Sequence, residues 1–277
     1  IVWFKRDLRI FDNVALTEAA REGAFIPLFI YEPTIWVNSN LGSGHHKFLF
    51  ESLHSLNTDL SKLGQPLVFR KGDCIEVFSA IVNAFKIKTV FSYEETWNYV
   101  SFKRNLALRD WFRSEKIDWR EFPRNGVVRG LKSRDDWSKK WKDRMDCPPE
   151  KVPVRLDKVE IKSDSMPDSE LSWQNDSLDL SRPLPGGRRA GENVLRSFIA
   201  SRHRNYKGGI SSPNSAFVSS SRLSPYLAFG VFSIKEIIYA LSASDNENEI
   251  TDPALLKKSR ASLKSFVSRL KWHCHFI

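Results

Sequence analysis

Apolar and polar positions along residues 1–122 alternate between two periods. Ile1-Val2-Trp3-Phe4 is an unbroken apolar run, the pattern of a strand covered on both faces. Asp12-Asn13 then offers side-chain caps for a helix to about Glu22, where Gly23 stops it. The same alternation continues. Strands are predicted at 25–31, 66–70, 89–92 and 117–122, and helices at 44–63, 75–85 and 99–114. Strands separated by single helices imply right-handed crossovers, and therefore a parallel sheet covered on both faces.

Residues 123–146 contain another helical pattern, with Trp137 and Trp141 four positions apart, a pair that reads as core packing. Periodicity then fades. Residues 147–187 are rich in Pro, Ser and Asp, as expected of a long surface connection. From Arg188 onward the patterns are helical only. Helices are expected at 190–203, after the Ser224-Pro225 start signal, at 234–241 behind a Ser233 cap, and from Asp252-Pro253 to the end. No internal repeat occurs. The expected division is an α/β domain over 1–125 (a five-stranded, parallel, doubly wound, Rossmann-like sheet), a helical connection and linker over 126–187, and part of an all-α domain over 188–277.

Composition narrows the class. Of 277 residues, 41% are hydrophobic and 27% charged, a balance that excludes a disordered chain. No apolar run approaches the roughly 20 residues that span a bilayer, and no signal-peptide pattern opens the chain. Cys74, Cys147 and Cys274 lie far apart, which indicates neither a disulfide framework nor a zinc site. A reducing, cytoplasmic setting is expected, with no membrane association. Ile1 opens directly into a strand and the chain closes on apolar residues, so a longer protein lacking its C-terminal part here is expected.

Charge is unevenly placed. The net charge is +10, and residues 201–277 carry 11 basic against 5 acidic side chains. That asymmetry suggests an anionic partner, either nucleic acid or a phosphate-bearing cofactor. The plain alternative is a solvated lysine-rich surface.

Parallel sheets bind ligands beyond their carboxyl strand ends. The first such loop is Lys5-Arg6-Asp7-Leu8-Arg9, and neither GxGxxG nor GxxxxGK[ST] occurs, which argues against a standard dinucleotide or NTPase site. The charged run reads first as salt bridges across a domain boundary and second as an anion site. Glu94-Glu95 ends another strand, where paired carboxylates could do acid–base work. Further on, Ser219 to Ser224 place hydroxyls and amides beside Arg222 at a helix start, which suits an anion.

Two long motifs now resemble the photolyase/cryptochrome family of flavoproteins. Val2-Trp3-Phe4-Lys5-Arg6-Asp7-Leu8-Arg9, with Asp12-Asn13 and Ala15-Leu16, is similar to the family's W-F-R-x-D-L-R-x-x-D-N-x-A-L signature. Ser220-Ser221-Arg222-Leu223-Ser224-Pro225-Tyr226-Leu227-Ala228-Phe229-Gly230 resembles its T-S-x-L-S-P-Y-L-x-x-G flavin-phosphate segment. The resemblance implies a noncovalent, U-shaped FAD. Ser220, Ser221, Arg222, Leu223 and Ser224 would surround its phosphates and Tyr206 would contact the cofactor. It also allows an antenna pigment of folate or deazaflavin type, with His45, His46 and Glu95 near suitable positions. An iron–sulfur cluster, found in one branch, needs grouped cysteines that this chain does not show.

The last helix is amphipathic. At about 100° per residue, Lys257, Arg260, Lys264 and Lys271 share one edge, while Leu255, Leu256, Leu263, Phe266, Val267 and Leu270 share another. Trp272 falls off the apolar arc. It is either covered by a neighbour or used for stacking on a base. Arg269-Leu270-Lys271-Trp272 resembles the family's E-L-x-W segment, whose tryptophan packs on a flipped-out pyrimidine dimer. The resemblance thus assigns Arg269, Trp272 and His273 to DNA contact. Two departures stand out: Arg269 replaces a lesion-contacting glutamate, and His273 replaces an arginine near the flavin. No metal site is expected.

Three functions compete. By resemblance the first is a deoxyribodipyrimidine photo-lyase, a monomer acting on DNA that contains pyrimidine dimers, with this fragment itself inactive. The second is a cryptochrome-like photoreceptor. The third, from the residues alone, is a nucleotide-binding α/β domain joined to a helical nucleic-acid-binding module. The residue facing flavin N5 and the internal tryptophan chain, which separate the first two, would lie beyond Ile277.

Overall fold

The structure, a computed structural model, describes residues 1–37, 39, 41–167, 184–244 and 251–276. They divide into two units, one of residues 1–124 with 150–188 and one of residues 125–149 with 189–277.

The first unit is built on β1 (Val2–Phe4), β2 (Pro27–Tyr31), β3 (Val68–Lys71), β4 (Thr89–Tyr93) and β5 (Asp118–Phe122), paired in the order β3-β2-β1-β4-β5. Every pairing is parallel. β1 is central, with Trp3 beside Leu28 on one side and Ser92 on the other. Its helices are α1 (Val14–Glu22), α2 (Pro33–Val37), α3 (Ser43–Leu63), α4 (Cys74–Ala84) and α5 (Tyr99–Ser114). The predicted five strands and four main helices are present, and α2 is an additional short turn.

Local chemistry explains the ends. The Asn13 side chain accepts from the Leu16 amide, Asp73 caps α4 in the same way, and Asn98 with Ser101 forms a reciprocal capping box on α5. Gly64 closes α3 at φ +112, and a Cβ there would lie 2.7 Å from the Leu156 carbonyl oxygen. β1 and β2 are buried along their whole length, and Trp3 meets Phe78 edge-on at 5.3 Å. The β3 edge is covered by residues 150–167. Asp164 donates its amide to the Phe69 carbonyl at 3.0 Å, and the Phe69 amide donates to Ser163 Oγ at 2.9 Å.

The second unit is helical: α6 (Trp137–Asp146), α7 (Arg188–Ala200, from its second residue), α8 (Tyr206–Gly209), α9 (Pro213–Ser219), α10 (Ser224–Ala228), α11 (Ile234–Ser242) and α12 (Pro253–His275). A 3-10 turn, Arg202–Asn205, links α7 to α8. Phe198, Tyr206 and Phe266 form an edge-to-face cluster, with Phe198 and Phe266 4.7 Å apart. On α12 the buried residues are Ser259, Ser262, Phe266, Leu270 and Cys274. The stripe lies where the apolar arc predicts it. Its first half is made by serines, however, and Leu255, Leu256, Leu263 and Val267 are only half-buried. The serines fit because His203 Nε2 pairs with Ser259 Oγ at 2.8 Å and the Lys207 amide donates to Ser262 Oγ at 3.1 Å. No helix among the described residues is long and apolar enough to cross a membrane.

Candidate functional site

In the first unit, the crossovers leave β1 and β4 in opposite directions, so their carboxyl ends mark the switch point where open sheets bind ligands. Side chains of the chain itself fill it. Arg6 Nη2 lies 2.8 Å from Glu95 Oε1, Arg104 bonds Glu32 and stands 3.8 Å from Glu95, and Lys5 Nζ reaches Ser92 Oγ at 3.3 Å. Burial alone would raise the Glu95 carboxyl, but Arg6, Lys5, Arg104 and Arg124 outweigh it and bring it down to about 2. Burial lowers Lys5 to about 8, and burial with neighbouring Arg6 lowers Arg124 to about 9. The charged run is therefore a salt-bridge network, but it closes within one unit rather than across a boundary. Glu95 is engaged by Arg6 and Arg104 rather than paired with Glu94 in an open site.

The residues considered for an antenna pigment differ in exposure and in what they contact. His45 is exposed. His46 is buried against Tyr31 and Trp36, whose rings stack at 5.9 Å, and Glu95 is committed to Arg6.

In the second unit, the serine segment joins α9 to α10. Ser219 is buried, Ser220, Ser221 and Arg222 are half-buried, Leu223 is fully buried as an apolar anchor, and Ser224 is exposed at the start of α10. Arg222 takes φ +59, a left-handed conformation that turns the chain sharply, and its guanidinium lies 4.2 Å over the Phe217 ring. The Leu223 amide donates to Ser221 Oγ at 3.4 Å.

Arg202, which the sequence reading passed over, holds this segment from behind. Its guanidinium donates to the carbonyls of Ser220, Ser221 (3.3 Å) and Val194 (2.8 Å) and to Ser197 Oγ (2.8 Å). These acceptors are all neutral. Burial, and then Arg222, push the Arg202 guanidinium below its usual value. Two cations thus share one loop, and hydroxyls of Ser220, Ser221 and Ser224 flank them. That donor set fits a phosphate.

Tyr206 is buried, with Phe198 at 5.7 Å and Phe266 at 5.3 Å. Burial raises its phenol, and nearby Arg269 pulls the other way, which places α12's charge within range of Tyr206. Arg269 is exposed and stacks 4.6 Å from the Trp272 ring, itself 48% exposed. His273, next in sequence, is half-buried. The basic edge is partly folded in: Lys271 lies over Trp137 and Trp141 at 5.7 and 5.8 Å. Arg202 is 5.5 Å over Phe198, so contacts run from the serine loop through Arg202 and Phe198 to Tyr206.

Residues 1–134 match the DNA photolyase family model. The chain thus carries a DNA photolyase domain, and both photolyases and cryptochromes are among the proteins it is similar to. Cryptochrome-2 of Arabidopsis thaliana is 28% identical over 288 residues, covering 91% of this chain and 45% of that protein. Deoxyribodipyrimidine photo-lyase of Agrobacterium fabrum is 27% identical over 261 residues, covering 87% of this chain and 52% of that protein. The chain spans about half the length of these curated relatives. The solved archaeal photolyase of Sulfolobus tokodaii, a structure with two FAD molecules, shares the fold at TM-score 0.71 and 24% identity, over 99% of this chain and 57% of that one. The matched residues include all five strands of the sheet, whereas the candidate phosphate loop lies beyond them.

Proposed function

We propose that the full-length protein is a light-driven DNA-repair flavoenzyme, a deoxyribodipyrimidine photo-lyase that binds FAD at the serine loop. The observation that carries the flavin part is the doubly cationic loop, Arg202 and Arg222 around Ser220 and Ser221, with no carboxylate among Arg202's hydrogen-bond acceptors. Amides and hydroxyls of Ser220, Ser221 and Ser224 would hold the phosphates, and Tyr206 would wall the cofactor from α12. The chemistry FAD supplies when bound is light-driven electron donation to the lesion.

The DNA part rests on Trp272. Half its surface is exposed, Arg269 covers one region of the ring, and an exposed indole beside basic side chains suits an unstacked base. Lys257, Arg260 and Lys264 are exposed on the same helix and would meet phosphates.

A second reading, a blue-light photoreceptor without repair, is favoured by Arg269 and His273 at positions where photolyases of the best-known class carry glutamate and arginine. Purified full-length protein decides between them. A flavin absorption band with blue-light loss of dimers from irradiated DNA is expected. Flavin photoreduction with no dimer loss would support the photoreceptor, and a colourless protein would remove both.

A further inference from the structure

We infer that Arg202 is the positioning residue of the phosphate loop: by gripping the carbonyls of Ser220 and Ser221 it turns the following amides outward to receive an anion. The inference rests on the flavin reading given above. A trans peptide is planar, so its C=O and N–H point in opposite directions. Fixing the Ser220 carbonyl toward Arg202 aims the Ser221 N–H away from it, and fixing the Ser221 carbonyl does the same for the Arg222 N–H. Both donors then point away from Arg202 and are turned out to meet an anion.

The anchor for this grip comes from a different element. Arg202 lies two residues past the end of α7, and its other contacts, the Val194 carbonyl and Ser197 Oγ, are on α7. Its planar fork thus ties the loop to a helix whose Phe198 is fully buried. Arg202 also contributes charge. Its own bonds are to neutral oxygens, so its positive field is not cancelled locally and adds to that of Arg222. Sequence alone would not single it out, because it is one arginine in the basic stretch Arg202-His203-Arg204.

Two roles, orientation and charge, predict different behaviour for two variants. Arg202→Gln removes the charge and the fork. Arg202→Lys keeps the charge but cannot bond three carbonyls at fixed angles. Full-length apoproteins would be titrated with FAD at several salt concentrations, with helical circular dichroism as the control. Both variants are expected to bind FAD about 10- to 100-fold more weakly, from the loss of charge-assisted hydrogen bonds. Arg202→Gln is also expected to show a shallower salt dependence, while Arg202→Lys keeps the wild-type slope. FAD affinity within about twofold of wild type in either variant would overturn the inference. A loss that follows the loss of helical signal would overturn it too, since Arg202 would then only be holding the fold. If the wild-type apoprotein bound no FAD, the flavin reading itself would fall and this inference with it.

Discussion

Glu95 is where charge locks the loop after β1, and replacing it tests that lock. The carboxylate is 4% exposed, 2.8 Å from Arg6 and 3.8 Å from Arg104. Burial opposes ionisation, yet Arg6, Lys5, Arg104 and Arg124 lower it from 4.5 to about 2. At about 1.4 kcal/mol per tenfold, that fall corresponds to ~3 kcal/mol of stabilisation. The folded value lies below the unfolded one, so the stabilisation is complete above about pH 5 and is lost as pH falls toward 2. Glu95→Gln keeps the shape and leaves four cations facing one another, a change in the range of ~3–5 kcal/mol for breaking a buried pair. Amide exchange of peptides covering β1 and β4 reports this unit alone. At matched pH, the variant should exchange on the order of 100-fold faster than wild type at pH 7, and only about tenfold faster at pH 3. A ratio below about threefold at pH 7, or one that stays constant on acidification, would refute the electrostatic account.

Other substitutions test the second unit. Ser259→Ala removes only the hydroxyl that pairs with His203 Nε2, and should cost ~1–3 kcal/mol, read as a lower melting midpoint that a variant keeping the hydroxyl, Ser259→Thr, largely spares. An unchanged midpoint for the alanine variant would remove the polar-core argument for α12. Trp272→Ala should weaken binding of dimer-containing single-stranded DNA by roughly 5- to 100-fold while leaving flavin absorbance intact. Equal binding by variant and wild type would take Trp272 out of the DNA surface. Gly126→Ala would place a methyl 2.1 Å from Trp141 Cδ1, and displacing that ring should cost ~1–3 kcal/mol in thermal unfolding.

Much of the sheet unit was legible because its strands are apolar runs closed by polar caps and glycines. The predicted helix 44–63 appears as α3 (Ser43–Leu63), ended by Gly64, and the Asn13 cap forms as its side chain suggests. Less legible were features set by partners distant in sequence. Nothing local says that Lys5, Arg6 and Glu95 share a buried network, because 89 residues separate Arg6 from Glu95. On α12 the serines read as interruptions of the apolar face, and only His203 and the Lys207 amide make them core residues. Of the candidate site, the serine segment stands out by its hydroxyls and Arg222 at a helix start, and Tyr206 only by motif resemblance. Arg202 was not, because its role lies in the carbonyls it meets rather than in its neighbours along the chain.

The three thiols provide a way to watch the two units separately. Cys74 is buried in the first unit and Cys274 in the second, where its sulfur lies 3.3 Å from the Gly126 amide, while Cys147 is exposed. An alkylating reagent should therefore mark Cys147 at once and reach the other two only when their own unit opens. Mass spectrometry of labelled peptides would time the two openings independently within a single tube. Added FAD, if it seats in the second unit, should protect Cys274 and leave the labelling rate of Cys74 unchanged.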